Sequence, residues 1–119
     1  MIENLINSAV IDTNDEGLRR YTHDRLKVFA KFTAEDCATC GLLAPGFRKV
    51  ADDQAYQGIL FVRLNSDENP VAKLMMAQRE APFFVSYCQG RLLECETCDT
   101  PAAMVAQLDR LRAFKSHTA

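Results

Sequence analysis

The sequence predicts an α/β domain, a central mixed β-sheet flanked by helices on both faces. Three observations carry this reading. Two short runs rich in β-branched and aromatic residues, LKVFAKF (26–32) and ILFVRL (59–64), have the apolar continuity of central strands buried on both faces. A helical pattern lies between them, so they form a strand–helix–strand unit with a right-handed crossover. Two further runs, APFFVSY and RLLECET, flank Gln89-Gly90 and read as a hairpin that adds antiparallel strands at one edge.

The first 11 residues fit either a short helix or an edge strand. Asp12 to Asn14 offer caps for a helix near 14–23, which Gly17 weakens. The helix after the first strand spans about 37–54, with Cys40, Leu43, Phe47 and Val50 on one apolar stripe. Pro45 falls inside it, removes a backbone donor and predicts a kink. After the second strand, Asn69 can cap and Pro70 can open a helix through VAKLMMAQRE, residues 71–80. Thr100-Pro101 opens the last helix, with Met104, Leu108 and Leu111 as its stripe.

With 119 residues, the chain can build one core and is too short for two ordinary domains, so 1–119 is read as a single domain. A composition that is 48% hydrophobic and 25% charged is that of a soluble globular protein. The net charge of −2 gives no reason to expect nucleic acid or an anionic membrane as partner. No apolar run approaches the roughly 18 residues of a membrane span. The acids of MIENLINSAVIDTNDE do not fit a signal peptide, and a cytoplasmic protein is expected. Nothing suggests more than a monomer.

The cysteines are Cys37, Cys40, Cys88, Cys95 and Cys98. An odd count does not fit a disulfide scaffold, and in a reducing compartment short spacings favour redox or metal chemistry. Cys37 falls in the first turn of a helix and Cys40 on its inward face. The pair reads as redox-active, as half of a metal site, or as two buried small hydrophobes. With CETC (95–98), it could supply four thiolates to zinc, but the two pairs lie much further apart than in a zinc ribbon. His23 and His117 both read as solvated surface residues.

CATC after the first buried strand, the in-helix Pro45 and the strand-opening Pro82, in this order and spacing, resemble the thioredoxin family over about residues 25–112. FTAEDCATCGLLAP is similar to the family's active-site segment, VRLNSDENP to the strand and helix start that follow, and EAPFFVSYCQGRLLE to its cis-proline hairpin. Residues 1–24 match only loosely. The resemblance implies the thioredoxin fold, with Cys37 as nucleophile and Cys40 as the cysteine that resolves the mixed disulfide. It makes Pro82 the cis-proline, and gives Ala81 and Pro82 the backbone that pairs with an extended substrate. A helix N-terminus carries roughly half a positive charge and free N–H groups, which favour a Cys37 thiolate over its ordinary pKa of about 8.5.

The sequence departs from the family in four places. Asp36, a carboxylate, stands before the nucleophile where an aromatic is usual, and opposes ionisation of Cys37. Lys31 replaces the buried acid of the preceding strand, with Arg63 on the neighbouring strand. These two cations repel unless an acid joins them or one side chain reaches water. Lys31 is expected either to favour a Cys40 thiolate electrostatically or to snorkel out. Ala38 and Thr39 lie between the cysteines in place of Gly-Pro. Cys98 falls in the loop that approaches the site, where with Cys95 it either takes part in exchange or is simply an unpaired thiol.

The function implied is a thioredoxin-like thiol–disulfide oxidoreductase acting on protein disulfides, recharged by a partner reductase and needing no organic cofactor or metal. The alternative is a thioredoxin-fold adaptor or chaperone with weak or regulatory redox activity, suggested by the missing aromatic and buried acid. Glu35, Asp36, Glu80 and Asp99 suggest an acidic rim that prefers basic or neutral partners and weakens with salt.

Overall fold

A computed structural model of the chain describes residues 9–115. Its five-stranded sheet has the order β1-β3-β2-β4-β5. The strands are β1 (Val10–Asp12), β2 (Lys27–Thr33), β3 (Ile59–Asn65), β4 (Phe83–Cys88) and β5 (Arg91–Thr97). β1 and β2 flank β3 in parallel, and β4 and β5 continue the sheet antiparallel. The ambiguous N-terminal segment is thus an edge strand from Val10 onward. The helices are α1 (Asp15–Asp24), α2 (Ala38–Ala51), α3 (Pro70–Met76) and α4 (Pro101–Ala113), with 3₁₀ turns at Gln54–Tyr56 and Ser66–Glu68.

Period-2 alternation along β2 divides the core. Val28, Ala30 and Phe32 meet Leu18 of α1 and Ala72 and Met76 of α3 on one face. Phe29 faces the other way, into Leu43 and Phe47 of α2 and Met104, Leu108 and Leu111 of α4. There Phe29, Phe47, Phe61 and Phe84 pack ring to ring at 5.6–6.1 Å. Pro45 is on the exposed side of α2, which continues through it.

Two helices are shorter than the sequence suggested. α2 stops at Ala51, and a 3₁₀ turn takes up 54–56. α3 stops at Met76 because Ala77 and Gln78 turn left-handed, at φ of 51° and 68°. Neither is the glycine that usually marks such an exit. The hairpin uses Gln89 and Gly90, both at positive φ as a two-residue primed turn requires. His23 is exposed, as expected, and His117 lies outside the described residues.

α3 is too short to be stable from propensity alone. Its first turn is capped from α1: Val71 and Ala72 donate backbone N–H groups to the Asp15 carboxylate at 2.8 and 3.0 Å. In return, Asp15 N–H donates to Asn69 Oδ1 at 2.8 Å. Asp15→Ala should therefore lower global stability by about 1–2 kcal/mol in denaturant unfolding, more than loss of an exposed charge would.

Candidate functional site

The end of β2 delivers the chain to the start of α2. Glu35 N–H donates to Asp67 Oδ2 at 2.8 Å, which ties the connecting loop to the end of β3. That bond and Lys73 hold the Asp67 carboxyl below its ordinary range. Asp36 then takes φ 56°, a left-handed conformation that aspartate tolerates better than most residues. Cys37 follows as the N-cap of α2, its Sγ accepting the Cys40 N–H at 3.1 Å.

Cys37 and Cys40 are joined in a disulfide with Cα atoms 5.3 Å apart. Cys37 is half-buried at the surface and Cys40 is 7% exposed. The helix geometry thus gives one sulfur to solvent and withholds the other. The Ala81–Pro82 peptide bond is cis. Ala81 lines the same pocket as Cys37, together with Thr39, Ser66, Met76 and Gln78.

Glu35, Asp36 and Glu80 line this pocket, whereas Asp99 does not. Lys73 and Arg79 also line it, two cations absent from the expected acidic rim. Both are engaged: Lys73 with Asp67 at 3.3 Å, and Arg79 with the Cys95 carbonyl at 3.0 Å and the Phe83 ring. Arg79 follows the left-handed exit from α3, for which the sequence carries no glycine signal.

Lys31 does not snorkel. It is 1% exposed, and its Nζ donates to the Cys40 carbonyl at 2.9 Å and lies 5.6 Å from the Phe47 centroid. Arg63 is its register partner across β3, and an acid does join: Asp12 of β1 pairs with Arg63 at 2.7 Å. Burial first, and Arg63 second, push Lys31 down from an ordinary 10.5 to about 8.

The CETC pair does not form a bridge. Cys95 packs on the α1/α3 face and Cys98 in the α2/α4 core, and both are free thiols. Cys98 is 2% exposed, and its S–H donates to Gln107 Oε1 at 3.5 Å. Burial, with Glu96 beside it, pushes that thiol up to about 11, far from a thiolate at neutral pH. Gln107, fully buried and bonded to the Phe84 carbonyl at 3.0 Å, was missed in the sequence. The signal was a polar residue three positions after Met104 on the apolar stripe. Cys88 is buried and free at the hairpin end of β4. The opposed faces of Cys95 and Cys98 do not suit a shared metal ion, and no cluster of three or more potential ligands occurs among the described residues.

Comparison with known proteins matches the thioredoxin family profile to residues 9–110. The match takes in β1 and α1, which the sequence resemblance reached only loosely. Similar solved structures include thioredoxin (Mala s 13) from Malassezia sympodialis, with 22% identity, TM-score 0.78 and coverage of 87% of this chain and 94% of that one. Mitochondrial thioredoxin 3 of Saccharomyces cerevisiae has 24% identity, TM-score 0.76 and coverage of 87% and 96%. Spinach chloroplast thioredoxin f has 17% identity, TM-score 0.79 and coverage of 89% and 96%. At these identities the likeness is one of fold. No curated protein matches significantly. No helix among the described residues is long and apolar enough to cross a membrane.

The buried lysine makes stability depend on pH. Unfolded chain holds the Lys31 proton to about pH 10.5 and folded protein to about 8, so the unfolded state binds more protons between them. The cost of the buried ammonium is complete below pH 8 and disappears toward 10.5. Across that window, denaturant unfolding of the oxidised proteins should show the stability difference moving in favour of wild type over Lys31→Met, by roughly 1–3 kcal/mol.

Proposed function

The chain belongs to the thioredoxin family, and on that premise we propose that it is a thiol–disulfide oxidoreductase acting on protein disulfides. The observation that carries this is the Cys37–Cys40 disulfide across the first turn of α2, with one sulfur at the surface and the other behind it. In the reduced protein, the Cys37 thiolate would accept the Cys40 N–H and be favoured by the helix N-terminus. It attacks one substrate sulfur, the substrate S–S bond breaks, and the other substrate sulfur leaves and takes a proton. Cys40 then attacks Cys37 Sγ and releases the second substrate thiol. The enzyme dithiol has lost two electrons, the substrate disulfide has gained them, and a partner reductase restores the dithiol.

No organic cofactor is needed for these steps. Ala81 and cis-Pro82 are the backbone against which an extended substrate segment would lie, beside Cys37. The chain is proposed to act as a monomer in the cytoplasm, where a reductase would maintain it. Cys98 takes no part in exchange in this reading, because its thiol is buried and protonated.

Dithiothreitol-driven insulin reduction tests the proposal. Wild type and Cys98→Ala should catalyse it and Cys37→Ser should not. If wild type fails while still binding unfolded clients, the adaptor reading replaces this one. The carboxylates of Glu35, Asp36 and Glu80 are free of the pairing that engages Lys73 and Arg79. A basic disulfide peptide should therefore be reduced several-fold faster than its acidic counterpart at low salt, and the preference should fade above ~0.2 M salt.

A further inference from the structure

Lys31 is a buried cation without an anion. Its Nζ has the Cys40 carbonyl and the Phe47 ring as partners, and among the described residues no carboxylate forms a salt bridge with it. The charged and titratable groups around it are accounted for. From β3 it meets Arg63, which is held by Asp12 of β1. From β4 it meets Phe84, which is apolar. In the helical layer on the same face, Tyr56 is bonded to Asp109 at 2.6 Å and Cys98 to Gln107. From α2 it meets Cys40 itself, with its sulfur tied up in the disulfide.

We propose that Lys31 is the counter-ion of the Cys40 thiolate, so that reduction of the disulfide turns an unpaired buried ammonium into an ion pair. This inference rests on the thiol–disulfide reading of the same site. The ammonium already binds the backbone of Cys40, and the carbonyl oxygen and sulfur of one residue are only a few bonds apart. The thiolate charge would thus form on the residue that the ammonium already contacts, and a nearby opposite charge favours ionisation. In a dry site such a charge acts with little screening.

The step balances as follows. A dithiol reductant breaks the Cys37–Cys40 bond, gives up two electrons and two protons, and closes its own disulfide. One proton goes to Cys37, which gives it up to solvent when it acts as the nucleophilic thiolate of the exchange. Where Lys31 is neutral in the oxidised protein, the other proton goes to its amine; where it is already charged, that proton goes to solvent. Cys40 is left as a thiolate in either case. Lys31 thus acts as a positioning residue, holding the resolving sulfur ionised for its attack on the mixed disulfide. The low affinity of Lys31 for its proton in the oxidised protein is consistent with a charge lacking its partner.

The test is an NMR pH titration of Cys40 Cβ and Lys31 Cε in wild type, Lys31→Met and Lys31→Gln. In reduced wild type, Cys40 should titrate below the ordinary ~8.5, and the Lys31 midpoint should rise by at least one pH unit over its oxidised value. Cys40 should move up by at least one unit in both variants, a tenfold or greater loss of acidity. Lys31→Gln can still donate to the Cys40 carbonyl, so wild-type titration in that variant would assign the effect to the hydrogen bond and overturn the proposal. An unchanged Cys40 midpoint in Lys31→Met, with a cooperative melt of the oxidised variant showing that it is folded, would also overturn it. Insulin turnover is a separate readout: its absence in wild type with the titration shifts intact removes the oxidoreductase reading and leaves the ion pair standing.

Discussion

Seven residues of β2 lie in parallel register with seven of β3, from Lys27 against Ile59 to Thr33 against Asn65. Much of the structure around the disulfide depends on that pairing. It brings both strand ends to one edge of the sheet, so that the loop after β2 meets the turn after β3 and Asp67 can hold the Glu35 amide. It sets Phe29 edge-to-face against Phe61, which with Phe47 and Phe84 builds the floor under α2. It also sets Lys31 against Arg63. A slip by one residue would turn all these side chains to the other face.

That register creates an electrostatic problem and the neighbouring elements resolve it unequally. Arg63 lies near the edge, where β1 supplies Asp12. Lys31 lies one strand further in, between β3 and β4, and receives a carbonyl and an aromatic face. A carbonyl dipole and a ring quadrupole are weaker partners for an ammonium than a carboxylate. The two cations are thus graded by their distance from the sheet edge, and the less well served one lies behind the redox pair.

Features set by local pattern could be read in the chain, including β2, β3, the hairpin, the helix through Pro45, and Cys37, Cys40 and Pro82. Each depends on neighbours within a few residues or on a motif of fixed spacing. What could not be read depends on contacts distant in sequence. β2 is apolar on both faces, so alternation gives no sign of where the Lys31 head goes. The burial of Cys98 depends on Gln107 of α4, and its separation from Cys95 depends on which side of the sheet the chain crosses after Thr97. The end of α3 was overextended because Ala77 and Gln78 adopt left-handed backbone without the residue type that announces it.

The reciprocal bonds between Asp15 and the segment Asn69–Ala72 bear on where this domain begins. α3 and the turn that leaves it form one side of the pocket beside Cys37, yet α3 has only seven residues. It borrows rigidity from α1, which precedes the whole strand–helix–strand unit. A fragment cut at residue 25 would keep the Cys37–Cys40 pair and cis-Pro82 but lose the anchor of one wall of the pocket beside Cys37. The smallest autonomous unit therefore includes a helix that touches neither cysteine.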